Sequence, residues 1–175
     1  GDVGAYGCGD IPTPHIDSIA ENGVRCAAGY VTAPQCGPSR AGVLTGRYQQ
    51  RFGYEVNAPI ERSFELGLPL DESMVLKRTG YRTGVVGKWH MGRDEGYRPW
   101  ERAVDFFYGV LNGTSWYYPP FAWAAGYLGL DDPTDIHRND EIHLEEEADY
   151  ITDAFARECA EFIGRNAGRP FFLYA

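Results

Sequence analysis

The run Cys36-Gly37-Pro38-Ser39-Arg40 is the part of this chain best equipped for chemistry. Cys36 falls between an expected strand and an expected helix, a junction where loop residues of α/β folds commonly act on ligands. The backbone N–H groups that open a helix favour an anion at that point. Arg40 follows one helical turn later, so its guanidinium could return to the same spot. The same residues also fit a buried cysteine in a tight turn beside a surface arginine, and spacing alone does not separate the two.

The elements that must hold this run read as alternating helices and strands. Thr13-Pro14 predicts an N-cap followed by a first-turn proline, with Gly23 ending the helix near Asn22. Residues 24–31 predict a short strand, residues 33–38 a turn, and residues 38–45 a helix closed by Gly46. Residues 48–70 have little periodicity and predict a surface excursion. A short helix over 71–79 ends at Gly80, and a buried strand over 81–87 is centred on Val85 and Val86. The Gly-, Pro- and aromatic-rich region 109–130 predicts long loops bordering a pocket.

Further on, Ile151, Phe155, Cys159, Phe162 and Ile163 share one helical face, with Asp149 or Thr152 near its start. Residues 166–168 stop that helix, and Phe171 to Tyr174 predict a strand. Alternating strands and helices imply an α/β layer fold with a mainly parallel sheet.

Composition bounds the function. With 175 residues the chain can bury an ordinary single core, and 43% apolar with 23% charged residues is typical of globular proteins. A net charge of -9 argues against a nucleic-acid partner, which needs clustered Lys and Arg. A few focused cations can still hold one small anion. No run of about 18 apolar residues is present, so no membrane span is expected. Cys8, Cys26, Cys36 and Cys159 lack metal-ligand spacing, and a disulfide among them cannot be assigned.

Longer patterns carry a family resemblance. Residues 34–47, Pro-Gln-Cys-Gly-Pro-Ser-Arg-Ala-Gly-Val-Leu-Thr-Gly-Arg, resemble the first signature of the type I sulfatases, C-x-P-S-R with an apolar pair and T-G-R. Residues 80–92, Gly-Tyr-Arg-Thr-Gly-Val-Val-Gly-Lys-Trp-His-Met-Gly, resemble the second, G-Y-x-T-x-x-x-G-K-W-H-x-G. Residues 11–17, 150–155 and 169–174 are similar to the family's first helix, late helix and late strand. The run Tyr48 to Glu55 is similar to bacterial members related to N-acetylgalactosamine-6-sulfatase.

The resemblance implies an alkaline-phosphatase-like layered fold and a definite chemistry. A separate formylglycine-generating enzyme would oxidise Cys36 to formylglycine, whose hydrated aldehyde attacks sulfur covalently and then expels sulfate. Lys88 is carried over as a contact to the sulfate oxygens. His90 would bond the formylglycine hydroxyl, projecting to the same side as Lys88 if the segment is extended. Arg40 would hold the hydrated aldehyde and balance negative charge. The substrate would be a sulfated carbohydrate or an aryl sulfate, and family habit implies a periplasmic or secreted protein.

The family also implies one calcium ion, bound by oxygen ligands and by position 36 as formylglycine. Its paired aspartates are expected before residue 1. An Asp with Asn or His, a further histidine and a second lysine are expected after residue 175. On that reading residues 1–175 are a partial N-terminal catalytic domain, inactive alone. The segment 70–79 is a few residues shorter than the family's helix there.

Other polar residues are expected to be ancillary. Ser39 serves the helix start, His15 is exposed in the first helix, and His137 and His143 are surface residues. Ser115 lies in a loop that can reach the pocket, and Asp2 and Asp10 do not align with metal ligands. Two competing functions share these motifs: a phosphonate monoester or phosphodiester hydrolase, and a non-catalytic glycan-binding homologue.

Overall fold

A run of five small or β-branched residues, Thr83 to Gly87, forms the middle of β1 (Arg82–Lys88), the strand around which the rest is arranged. In a computed structural model the described residues are 2–57, 79–113, 115, 117–118, 136–142 and 150–175. The expected helix over 71–79, most of region 109–130 and the expected surface residue His143 lie outside the described residues, apart from Thr79 and residues 109–113, 115, 117 and 118.

The sheet has the order β4-β3-β2-β1-β5. β2 (Phe106–Val110) and β5 (Phe171–Tyr174) flank β1, both parallel to it. β3 (Ile136–Arg138) and β4 (Glu141–Ile142) add an antiparallel edge. The fold is thus α/β with a mostly parallel sheet. Parallel sheets bury both faces, and Val85 and Val86 point to opposite sides with only 1% and 2% exposure. Val85 joins Trp89, Met91, Phe107, Tyr54 and Ala41 on one side. Val86 joins Tyr108, Val110, Ile136, Ile151 and Ala154 on the other.

Thr83 of the second signature is a structural residue. It is fully buried, its hydroxyl donates to the Ala103 carbonyl at 2.8 Å, and its amide donates to the Asp105 carboxylate at 3.0 Å. Those bonds fix where β1 and β2 begin alongside each other, and hence where β1 ends.

The helix α2 (Cys36–Thr45) begins two residues earlier than expected and closes on Gly46 at φ 63°. Cys36 is therefore the first residue of the helix rather than part of a preceding turn. Pro38 stays inside the first turn, where a missing N–H costs nothing. A Cβ on Gly42 would fall 2.3 Å from the Thr32 hydroxyl, so only glycine admits this approach of α2 to the segment before it.

The long helix α3 (Ile151–Asn166) covers the opposite face and buries Ile151, Ala154, Glu158, Phe162 and Asn166. Of the expected face, Ile151 and Phe162 are buried and Phe155 and Cys159 are half-buried against the core, while Ile163 is 45% exposed because the buried stripe also takes in Ala154 and Glu158. Glu158 accepts from Arg138 at 2.9 Å, which makes its burial tolerable. Phe162 lies against Gly84, where a Cβ would come within 2.7 Å of its ring. His137 is also not a surface residue: it is half-buried in β3, stacked on Trp100 at 5.6 Å.

The chain divides into two units, Gly1–Val31 and Thr32–Ala175. In the first, α1 (Pro14–Glu21) follows Thr13 and ends at Asn22, as expected. Thr13 does not cap with its side chain; its hydroxyl accepts from the Gly4 amide at 2.8 Å and meets the Asp17 carboxylate at 3.1 Å. His15 is exposed. The strand expected over 24–31 does not form: that stretch is irregular, with Val24 86% and Tyr30 91% exposed. β-branched and aromatic content favours extended chain, but a strand needs a hydrogen-bonded neighbour. None pairs with it among the described residues.

Candidate active site

Two stretches meet at the carboxyl end of β1, the edge where open α/β sheets bind ligands. Cys36 arrives at the first turn of α2, Lys88 is the last residue of β1, and His90 follows two residues later. Trp89 and Met91 alternate with them and are each 1% exposed, which anchors the turn in the core. The indole N–H of Trp89 donates to the Tyr97 carbonyl at 3.1 Å. Parallel pairing continues past the strand: the amides of Trp89 and His90 donate to the carbonyls of Val110 and Leu111 at 2.9 and 3.0 Å.

His90 reaches the site by an unexpected backbone route. Its φ is 57°, in the left-handed region rather than extended. Such a conformation costs free energy in a non-glycine residue and persists only where surroundings fix it. Here the Tyr54 hydroxyl donates to the His90 carbonyl at 3.3 Å, and Gly113 lies against the imidazole. A Cβ on Gly113 would sit 2.7 Å from His90 Nε2. The result places His90 Nδ1 3.1 Å from Cys36 Sγ.

Cys36 is half-buried and surrounded by donors. Asn57 Nδ2 donates to its sulfur at 3.3 Å, and the positive charge of Lys88 acts on it as well. Burial pushes the thiol pKa up, but the Asn57 bond, the Lys88 charge and the Gly37 amide together carry it below the ordinary value. His90 is lowered to about 4 by burial and then by the charges of Lys88 and Arg40, so its imidazole is neutral at pH 7. Tyr54 is raised to about 12 by burial and by the Cys36 charge.

The guanidinium of Arg40 donates to the Lys88 carbonyl at 2.5 Å and lies over the Tyr174 ring at 5.7 Å. It thus ties α2 to the end of β1 and to β5, and it acts on the site through its charge. Ser39 is half-buried inside α2, its amide donating to the Gln35 carbonyl at 3.1 Å. Ser115 lies two residues beyond Gly113 and is half-buried. All four cysteines are free thiols.

The surroundings suit some groups and not others. Hydroxyl oxygens at position 36 would meet the same donors that now meet sulfur, so formylglycine fits this pocket. A hard dication needs several oxygen ligands. Among the described residues no group of three or more His, Cys, Asp or Glu side chains converges, and Cys36 is ringed by lysine, arginine, histidine and asparagine. These described side chains do not make up a calcium site by themselves.

Asn57 carried no signal in the sequence, and Tyr54 appeared only within the run Tyr48 to Glu55, with no role attached to it. Both lie in the aperiodic stretch after α2, and their roles appear only once the chain folds back. Gly113 belonged to a glycine-rich loop region without distinguishing spacing.

Comparison with known proteins identifies the chain. The Sulfatase family model matches residues 1–175. Human arylsulfatase H is 40% identical over 127 residues, covering 65% of this chain and 23% of that protein. Bovine arylsulfatase A is 35% identical over 193 residues, covering 99% and 37%. The crystal structure of Ps i-CgsB superposes with a TM-score of 0.84 at 38% identity, covering 99% of this chain and 41% of that one. The same protein in complex with k-i-k-neocarrahexaose gives 0.80 at 36% identity, with the same coverage. The chain therefore spans between about a quarter and two-fifths of the length of these relatives. With a family match over its whole length and both signature runs meeting at one edge of the sheet, the chain belongs to the sulfatase family.

Proposed function

We propose that the full-length protein hydrolyses sulfate esters of a carbohydrate or aryl alcohol, using a formylglycine made from Cys36. The observation that carries this reading is the approach of His90 Nδ1 to Cys36 Sγ at 3.1 Å, at the opening of α2 and within the field of Lys88. Once made by a formylglycine-generating enzyme, the aldehyde hydrate would supply a hydroxyl nucleophile.

The chain's own side chains then have separate tasks. Lys88 binds a sulfate oxygen and stabilises the charge that grows in the transition state. His90, neutral at working pH, has Nδ1 directed at position 36 and holds or moves the proton there. Arg40 fixes the carbonyl of Lys88, so the ammonium is presented at a set height above the sheet. The opening of α2 adds a favourable potential for an anion.

A sulfated glycan is the proposed substrate class, supported by the similarity to Ps i-CgsB and its oligosaccharide complex. Among the described residues no helix is long and apolar enough to cross a membrane. Export to the periplasm or beyond belongs to the same proposal.

The test uses the full-length protein co-expressed with a formylglycine-generating enzyme and assayed with calcium present. Sulfate release from aryl and glycan sulfates, lost in Cys36→Ala, is the expected result. Binding of sulfated glycan without cleavage, or a strong preference for phosphonate esters, would overturn it.

A further inference from the structure

Among the described residues, Asn57 is the one neutral side chain that bonds both the backbone and the side chain of the nucleophile's turn. Its Oδ1 accepts from the Gly37 amide at 3.0 Å, and its Nδ2 donates to Cys36 Sγ at 3.3 Å. Its own amide donates to Gln35 Oε1 at 2.6 Å. Residues 35, 36 and 37 are thus all held by one residue.

The orientation of the carboxamide follows from chemistry. The Gly37 N–H can only donate, so the oxygen of Asn57 must face it. That leaves the NH2 group no choice but to point at position 36. Tyr54 steadies the same segment from below: it is 5% exposed, and its hydroxyl donates to the His90 carbonyl. A Cβ on Gly37 would come within 2.6 Å of the Tyr54 hydroxyl and 2.9 Å of Asn57 Oδ1, so the helix opening is packed tightly against both.

We propose that Asn57 is a positioning residue for the nucleophile, a fixed donor that selects the side-chain rotamer of position 36 facing His90 and Lys88. A neutral amide suits this task. An aspartate in its place would keep the bond to Gly37, which a carboxylate accepts at least as well. It would lose the donor and set a negative charge beside the nucleophile. The donor function concerns position 36 in either chemical form; its part in turnover rests on the sulfatase reading above.

Two measurements separate these claims. In the first, the full-length protein is produced without a formylglycine-generating enzyme, so Cys36 stays a thiol. Its alkylation by iodoacetamide, in which the sulfur displaces iodide, is followed by peptide mass spectrometry across pH. Asn57→Asp and Asn57→Ala are compared with wild type, and exposed Cys26 is the internal control. A rise of one pH unit in the thiol midpoint cuts the thiolate fraction about tenfold and raises intrinsic nucleophilicity about threefold. Alkylation of Asn57→Asp at pH 7 should therefore be about threefold slower with a raised midpoint, and Asn57→Ala should show a smaller rise. An unchanged Cys36 profile in both variants, with Cys26 also unchanged, would overturn the proposal.

In the second, matured protein is assayed for sulfate release. Asn57→Asp should lower kcat with KM nearly unchanged, whereas a merely structural role would lower the active fraction and leave kcat per formylglycine intact. If wild type releases no sulfate at all, the sulfatase reading fails, and the alkylation profile still decides whether Asn57 positions position 36.

Discussion

Arg138 on β3 and Lys88 at the end of β1 are both half-buried cations of one sheet, and their surroundings differ. Arg138 is bonded to Glu158 by two N–H groups and lies over the Tyr108 ring at 4.9 Å. The charge of Lys88 acts on a thiol, and Arg40 beside it meets a carbonyl and an aromatic ring. Neither Lys88 nor Arg40 has a carboxylate partner among the described residues. A structural cation is neutralised where it sits. Among the described residues nothing compensates the positive charge of the pair at the end of β1, beside a helix opening, and such a field favours an anion.

Breaking each region should therefore give opposite outcomes. The largest effect is expected from Lys88→Ala, with kcat for sulfate release lowered on the order of 10²- to 10³-fold. Its denaturation midpoint should stay close to wild type. Glu158→Ala should do the reverse. It strands Arg138 and should cost about 2–3 kcal/mol in urea unfolding, below the range for a fully buried pair because Arg138 is partly solvated. Activity per folded molecule should be unchanged. If Lys88→Ala destabilised and Glu158→Ala inactivated, the contrast would be reversed.

His90 sharpens the comparison through pH. Its folded pKa of about 4 lies below the ordinary 6.5, so the unfolded chain binds the proton more readily between those values. The stability linked to His90 is complete above about pH 6.5 and is lost as pH falls toward 4. Thermal unfolding followed from pH 7 to pH 4.5 should fall less steeply in His90→Gln than in wild type. A smaller effect is expected from Tyr54→Phe, which removes the hydrogen bond to the His90 carbonyl. About 1 kcal/mol of stability should be lost, with kcat reduced severalfold.

Much of this was legible in the residues themselves, for physical reasons that differ by region. β1 was evident because a short run with paired valines, bounded by Gly80 and Gly87, suits a buried strand. The site residues were evident because two long signature runs bring Cys36, Lys88 and His90 with them. The false strand over 24–31 arose because extended propensity is local, whereas pairing is decided by residues far away. The face of α3 was legible from its apolar spacing, but not the burial of Glu158, which becomes a core residue only when Arg138, 20 positions earlier, arrives to bond it. Asn57 was invisible for the same reason. It bonds Cys36 across 21 positions, in a stretch with no periodic pattern. The left-handed turn at His90 had no local signal either, since it is stabilised by Tyr54 and Gly113 from two other segments.

The most direct test is the mass of the tryptic peptide Cys26–Arg40 from the full-length protein expressed in its native host. Fragment ions assign the two cysteines separately. The account predicts an aldehyde at position 36 and an intact thiol at Cys26. A thiol at both positions, in protein that nonetheless binds sulfated glycan, would contradict it and make the cations at the end of β1 a binding site rather than a catalytic one.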